Sequence, residues 1–209
     1  MSALVLDLDS TLIYTINHNN RNELDLYNYI KSKYPDMVYK LDFPDGYNMY
    51  GYFRPYLQEF LEDTRKYFDY LIVYTAGTYD YGITVAKLLE REFGIKFDRI
   101  LTREECLKLN SGIFLNKDDY SKPLTIAFPD LDIKQILIVD DKMCNFRFNP
   151  RNGILIPAYS PVTENEVLSD EYLEQLRDWL INIEILNSPD FRLLNKDNIF
   201  DVQVLANIF

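Results

Sequence analysis

Three stretches of the chain are unbroken runs of apolar, mostly branched residues: Ala3–Leu6 (ALVL), Tyr70–Tyr74 (YLIVY) and Ile136–Val139 (ILIV). None alternates polar with apolar side chains, so none suits a strand with one wet face. Such runs fit strands covered on both faces, as in a parallel sheet between layers of helices. Gly153–Ile156 (GILI) reads as a fourth strand and Arg99–Leu101 as a short fifth. Helical stripes fall between them. Leu57, Phe60, Leu61 and Phe68 form one, with Pro55 expected in its first turn. Ile83, Val85, Leu88, Leu89 and Phe93 form a second that stops at Gly94. Leu173, Leu176, Trp179, Leu180 and Ile183 form a third. Strands alternating with helices predict an α/β fold, an open and mainly parallel sheet flanked by helices.

Residues 14–53 break this rhythm. "HNNRNE" reads as a polar loop, and Pro44-Asp45-Gly46 as a turn between strand-like pieces. A small β-rich insertion after the first strand is expected there, with no large cap elsewhere. Residues 103–121 form a second irregular stretch. With 209 residues and 47% hydrophobic content, the chain is expected to make a single domain over 1–209 that carries this insertion.

The net charge of −11 argues against any broad nucleic-acid or anionic-membrane surface, because phosphate backbones require clustered Lys and Arg. A phosphate site on such a chain has to be made locally, by a few cations or a metal. Cys106 and Cys144 form no CxxC pair and read as buried free thiols in a reducing compartment. No apolar run approaches membrane-spanning length, and no basic, apolar leader opens the chain. A soluble intracellular protein, nuclear or cytoplasmic, is expected. The candidate site starts so early that no amino-terminal targeting extension is expected.

Each of the three main runs ends in polar residues: Asp7-Leu8-Asp9-Ser10-Thr11, Thr75-Ala76-Gly77-Thr78 and Asp140-Asp141-Lys142. In a parallel sheet all three ends share one edge, which is where open α/β proteins place ligands. Four acids in one cleft repel. A hard divalent cation resolves that repulsion, and Mg²⁺ takes a few carboxylates together with water and phosphate oxygens. The cluster therefore points to metal-assisted phosphoryl chemistry. Each piece alone is weak. An isolated DxD also serves turns and caps, and Thr is common at strand ends. The order and placement carry the reading.

Together these motifs resemble the haloacid dehalogenase superfamily. More narrowly, they resemble the small phosphatases that act on the RNA polymerase II C-terminal domain, the NLI-interacting-factor-like family. Asp7-Leu8-Asp9-Ser10-Thr11-Leu12 is similar to that family's DxDxT motif, and Arg54-Pro55-Tyr56-Leu57-Gln58-Glu59-Phe60-Leu61 to its RPxxxEFL segment. Tyr74-Thr75-Ala76, Arg103-Glu104-Glu105-Cys106, Tyr120-Ser121-Lys122 and Val139-Asp140-Asp141 follow in the family's order, and "FNPRNGILIPAY" resembles its next segment. Ser10 stands where the family usually has Glu, and Gly77 where Ser is common.

The resemblance implies a Mg²⁺-dependent phosphoserine/threonine phosphatase working through an aspartyl-phosphate. It makes Asp7 the nucleophile and Asp9 the general acid–base. Asp7, Asp141 and the Asp9 backbone carbonyl become the metal ligands. Thr75 and Lys122 contact the phosphoryl oxygens, Asp140 holds Lys122, and Thr11 ties down the loop after Asp9. Arg103 and Tyr81 become substrate-binding residues. The partner is then a phosphorylated protein or peptide, with no membrane partner. For Arg103, a surface salt bridge with Glu104 or Glu105 is the rival reading; for Lys122, a solvated loop lysine. Two other functions stay open on the residues: a small-molecule or nucleotide phosphatase of the same superfamily, and a catalytically silent protein-binding module.

Overall fold

The computed structural model describes residues 1–17, 19–43, 46–109 and 120–200. The chain begins with β1 (Ala3–Leu6), β2 (Ile13–Thr15), α1 (Arg21–Lys33), β3 (Val38–Asp42), β4 (Asn48–Phe53) and α2 (Leu57–Tyr67). It continues through β5 (Tyr70–Tyr74), α3 (Tyr79–Phe93), β6 (Arg99–Leu101), β7 (Leu107–Lys108), β8 (Tyr120–Ser121) and α4 (Leu124–Ala127). β9 (Ile136–Asp140), β10 (Gly153–Leu155), α5 (Glu164–Leu168), α6 (Tyr172–Leu180) and α7 (Ile183–Leu186) complete it.

The five strands expected from apolar runs form one sheet in the order β10-β9-β1-β5-β6, and every neighbouring pair is parallel. Its two faces explain the missing alternation. Leu4, Leu6, Leu71, Val73, Leu137 and Val139 share one apolar cluster with Leu57, Leu61 and Val85 of the helices. Ala3, Val5, Ile72, Tyr74, Ile136 and Ile138 point the other way, into a cluster with Leu124, Phe128 and Phe146. Successive side chains of β1 thus leave water on opposite faces, so both sets must be apolar.

Several details depart from the sequence reading. Pro55 stands two residues before α2, and Tyr56 between them takes a left-handed φ of 62°. α6 stops at Leu180, so Ile183 leaves the stripe and is 68% exposed at the start of α7. Both cysteines are half-buried rather than buried. The 14–53 segment does hold a three-stranded antiparallel sheet, β2-β4-β3, but it also contains α1. Of "HNNRNE", Arg21-Asn22-Glu23 begin that helix and the Asn20 side chain accepts the Asn22 N–H at 3.1 Å, an N-cap, while His18 lies outside the described residues. Of the expected turn, Pro44 and Asp45 lie outside the described residues, and Gly46 has a φ of 83°. In the second irregular stretch, β7 and β8 pair antiparallel. No described helix is long and apolar enough to cross a membrane.

Candidate active site

Strand register builds the site. Leu6 lies level with Val73 on one side and Val139 on the other. One residue further on, Asp7 emerges beside Tyr74 and Asp140, and its N–H donates to the Val139 carbonyl at 3.0 Å. Thr75 leaves the end of β5, with its N–H held by the Leu101 carbonyl at 3.0 Å. The predicted sheet edge is therefore real. It opens into a cleft of about 440 Å³ lined by Asp7, Asp9, Thr75, Arg103, Asp141 and Lys142, among others.

Lys122 is 1% exposed. Its Nζ donates to Asp7 Oδ1 at 2.6 Å and to Asp140 Oδ2 at 2.5 Å. Its rival reading as a solvated loop lysine does not hold. Burial alone would pull the ammonium's pKa down, but the charges of Asp140 and Asp7 outweigh burial and hold it up. Burial pushes the Asp7 carboxyl up, Asp140 adds to that, and Lys122 opposes both. Asp140 has no free acceptor oxygen. Besides Lys122 it takes the Asn145 amide at 2.7 Å on both oxygens and the Lys142 N–H at 2.8 Å.

Asp141 is the opposite case. Its Oδ1 is buried and has no hydrogen-bond partner among the described residues, and the carboxyl is pushed up to about 6, mainly by burial and then by the Asp140 charge. One carboxylate oxygen each from Asp7, Asp140 and Asp141 lie within 4.8 Å of one another. An orphaned buried oxygen beside two more carboxylates fits a hard divalent cation. With Asp140 committed to Lys122 and Asn145, the open donors are Asp7 and Asp141.

The Thr75 hydroxyl accepts the Gly77 N–H at 2.9 Å, which leaves its own proton free for an acceptor in the cleft. A Cβ on Gly77 would sit 2.6 Å from the Tyr81 ring, so a serine there would displace that ring. Tyr81 donates to Asp9 Oδ1, and the Thr15 hydroxyl oxygen lies 3.4 Å from the same carboxylate oxygen. The Tyr81 ring also lines an adjoining groove of about 560 Å³ shared by Asp9, Tyr47, Met49 and Arg103. Arg103 is exposed where the two cavities meet. Its Nε donates to the Ala76 carbonyl at 2.7 Å, and its guanidinium lies 5.4 Å from the Tyr120 ring centre. Glu104 and Glu105 turn to Thr102 instead, so the surface salt bridge is not formed among the described residues.

The Thr11 expectation needs correction. Its hydroxyl is buried without a partner among the described residues and ties down none of them. The loop is held by Arg54, which is 1% exposed and whose Nη1 donates to the Thr11 carbonyl at 3.0 Å. Its Nη2 reaches the Pro157 carbonyl at 2.8 Å, and a two-pronged pair with Asp170 (2.7 and 2.9 Å) completes the set. Tyr159 and Tyr172 flank the guanidinium at 5.5 and 5.6 Å. A lysine cannot reproduce this fork. Arg54→Lys is expected to lower unfolding stability by about 2 kcal/mol in a urea titration, through lost charge-assisted hydrogen bonds. Asn145, Thr15 and Tyr39 also bear on the site, and no motif in the sequence marks them.

A sequence model of the NLI interacting factor-like phosphatases matches residues 2–192. The chain is 28% identical over 168 residues to Phosphatase PSR1 of Saccharomyces cerevisiae, covering 79% of this chain and 34% of that protein. It is 31% identical to the CTD nuclear envelope phosphatase 1 homolog of Caenorhabditis elegans, covering 75% of this chain and 58% of that one. It is 28% identical to a probable C-terminal domain small phosphatase of Dictyostelium discoideum, covering 88% of this chain and 52% of that protein. The chain thus spans only part of these relatives. A solved structure of Fcp1, an essential RNA polymerase II CTD phosphatase, superposes with a TM-score of 0.51 at 26% identity, covering 76% of this chain and 42% of that one. The family match runs from before β1 to beyond α7 and takes in every strand end that meets at the cleft, so the chain belongs to the NLI interacting factor-like phosphatase family.

Proposed function

We propose that the chain is a Mg²⁺-dependent phosphoserine/threonine protein phosphatase that works through an aspartyl-phosphate on Asp7. The observation that carries this reading is the buried Lys122 cation clamped between Asp7 and Asp140, beside an unpartnered Asp141 oxygen in the same cleft. An Asp7 oxygen attacks phosphorus, and the bond from phosphorus to the seryl or threonyl oxygen breaks. Asp9 gives its proton to that departing oxygen. It then takes a proton from the water that attacks the phosphorus, which releases inorganic phosphate and restores Asp7. Lys122 and the free Thr75 proton stabilise the charge that spreads over the equatorial phosphoryl oxygens. Asp140 fixes Lys122 in place. Asp7, Asp141 and the Asp9 backbone carbonyl would hold Mg²⁺, which when bound offsets the carboxylates and polarises the phosphoryl group.

The open groove past Tyr81, walled by Met49 and Tyr47 of the β3-β4 region, suits an extended peptide better than a compact metabolite. Arg103, between groove and cleft, is placed to meet the substrate phosphate. Turnover should be measured on a phosphoserine peptide, a sugar phosphate and a nucleotide, with Mg²⁺ or with EDTA. The peptide is expected to give at least about tenfold higher kcat/KM than either small molecule, and EDTA is expected to abolish all turnover. Faster turnover of the small molecules would favour a metabolite phosphatase, and EDTA-insensitive turnover would reject the metal. No turnover of any substrate would favour a binding module.

A further inference from the structure

The sheet formed by β2, β4 and β3 does more than wall the groove. Tyr39 on β3, Gly51 on β4 and Thr15 on β2 share one row across the three strands. Gly51 occupies the middle because nothing larger fits: an added Cβ would sit 2.4 Å from the Tyr39 hydroxyl and ring end. Through that gap the Tyr39 hydroxyl crosses the central strand and meets Thr15 Oγ1 at 2.6 Å. Thr15 Oγ1 in turn meets the Tyr81 hydroxyl at 2.8 Å, and Tyr81 reaches Asp9 Oδ1. Tyr39 is only 3% exposed, so its hydroxyl has no recourse to bulk water.

Proton counting gives the row a direction. An Asp9 carboxylate brings no proton, and the three hydroxyls bring one each. The three short contacts are satisfied when Tyr39 donates to Thr15, Thr15 to Tyr81, and Tyr81 to Asp9 Oδ1; the longer 3.4 Å approach of Thr15 to Oδ1 then receives no proton. Every link then points at the same carboxylate oxygen. In a protonated carboxyl the carbonyl oxygen is the stronger acceptor, so the Tyr81 hydrogen bond favours Oδ1 as the carbonyl oxygen. Asp9 is left to carry its transferable proton on Oδ2.

We propose that Thr15 and Tyr39 are positioning residues. Together with Tyr81 they fix the rotation of the Asp9 carboxyl and assign Oδ2 as the acid that meets the leaving oxygen. This rests on the proposed role of Asp9. The segment that walls the groove thereby also sets the geometry of the acid.

The test is the leaving-group dependence of kcat/KM, which reports transfer to Asp7, measured over substituted phenyl phosphates that leave the groove empty. A departing oxygen with a high pKa needs the acid, and one with a low pKa does not. Thr15→Val keeps the shape and removes the hydroxyl. It is expected to lose about 10–100-fold on phenyl phosphate and no more than about threefold on the most activated ester, the scale of a misplaced catalytic group. Thr15→Ser is expected to restore the wild-type slope. Tyr39→Phe is expected to steepen the slope in the same sense by a smaller factor, and it decides the matter if Thr15→Val fails to fold. Equal losses across the series, or slopes unchanged in Thr15→Val and Tyr39→Phe, would overturn the relay alone. A wild-type chain that hydrolyses none of the esters would overturn the phosphatase reading and the relay with it.

Discussion

Asp7→Asn is expected to cut phosphate release by roughly 10⁴–10⁶-fold, the scale seen when a covalent nucleophile is removed. Asn has the size of Asp but lacks the anionic oxygen that attacks phosphorus. The fold should not suffer. Asp7 is 7% exposed and faces Asp140, and burial and that neighbour both push its carboxyl up. An acid whose pKa is raised in the folded state costs stability once the pH is high enough to ionise it. Replacing it with a neutral amide removes that cost, and Lys122 keeps Asp140 as a partner. The variant is therefore expected to melt at or above the wild-type temperature when both are scanned without metal at pH 7. Dead and stable is the expected pair of results. Substantial activity in this variant would reject the covalent route.

Lys122→Met reverses the outcome for stability. The substitution keeps much of the side-chain volume and deletes the one cation within hydrogen-bond reach of Asp7 and Asp140 among the described residues. Breaking a buried ion pair by removing one partner typically costs about 3–5 kcal/mol, because the remaining charge keeps its desolvation penalty without compensation. Here two carboxylates lose their partner, so the upper part of that range is expected from urea unfolding at pH 7. The sign of the pH dependence follows. Burial and the Asp140 charge raise the Asp7 carboxyl, and protonating it removes one of the two uncompensated charges, so the deficit should shrink as the pH is lowered. Activity should fall by at least about 10²–10³-fold, as when a preorganised charge-stabilising donor is removed. A variant that unfolds like wild type at pH 7 would show that Lys122 does not compensate the acid cluster.

The sheet was legible because burial on both faces writes an unmistakable signature: Ala3–Leu6 and Ile136–Val139 have no polar positions to misplace. The edge that gathers Asp7, Thr75 and Asp140 followed from parallel order alone, before any register was known. What stayed hidden depends on contacts between residues far apart in sequence. Nothing near Arg54 announces Asp170, and nothing near Tyr39 announces that a glycine on the next strand opens its path to Thr15. α1 escaped because its apolar content is thin: only Tyr27 and Ile30 are buried, and its asparagine-rich approach resembles a loop as much as a cap. Thr11 misled for a related reason. A hydroxyl beside a catalytic-looking acid invites a hydrogen bond, whereas the loop is pinned through backbone carbonyls that a sequence does not display.

The central claim is that Asp7 accepts the phosphoryl group. The most direct measurement is a single turnover of a ³²P-labelled phosphoserine peptide, quenched in acid and mapped by proteolysis and mass spectrometry. The account predicts a hydroxylamine-labile label on Asp7 in the wild-type chain and none in Asp7→Asn. Phosphate release with no protein-bound label at any quench time, or a label on another residue, would contradict it.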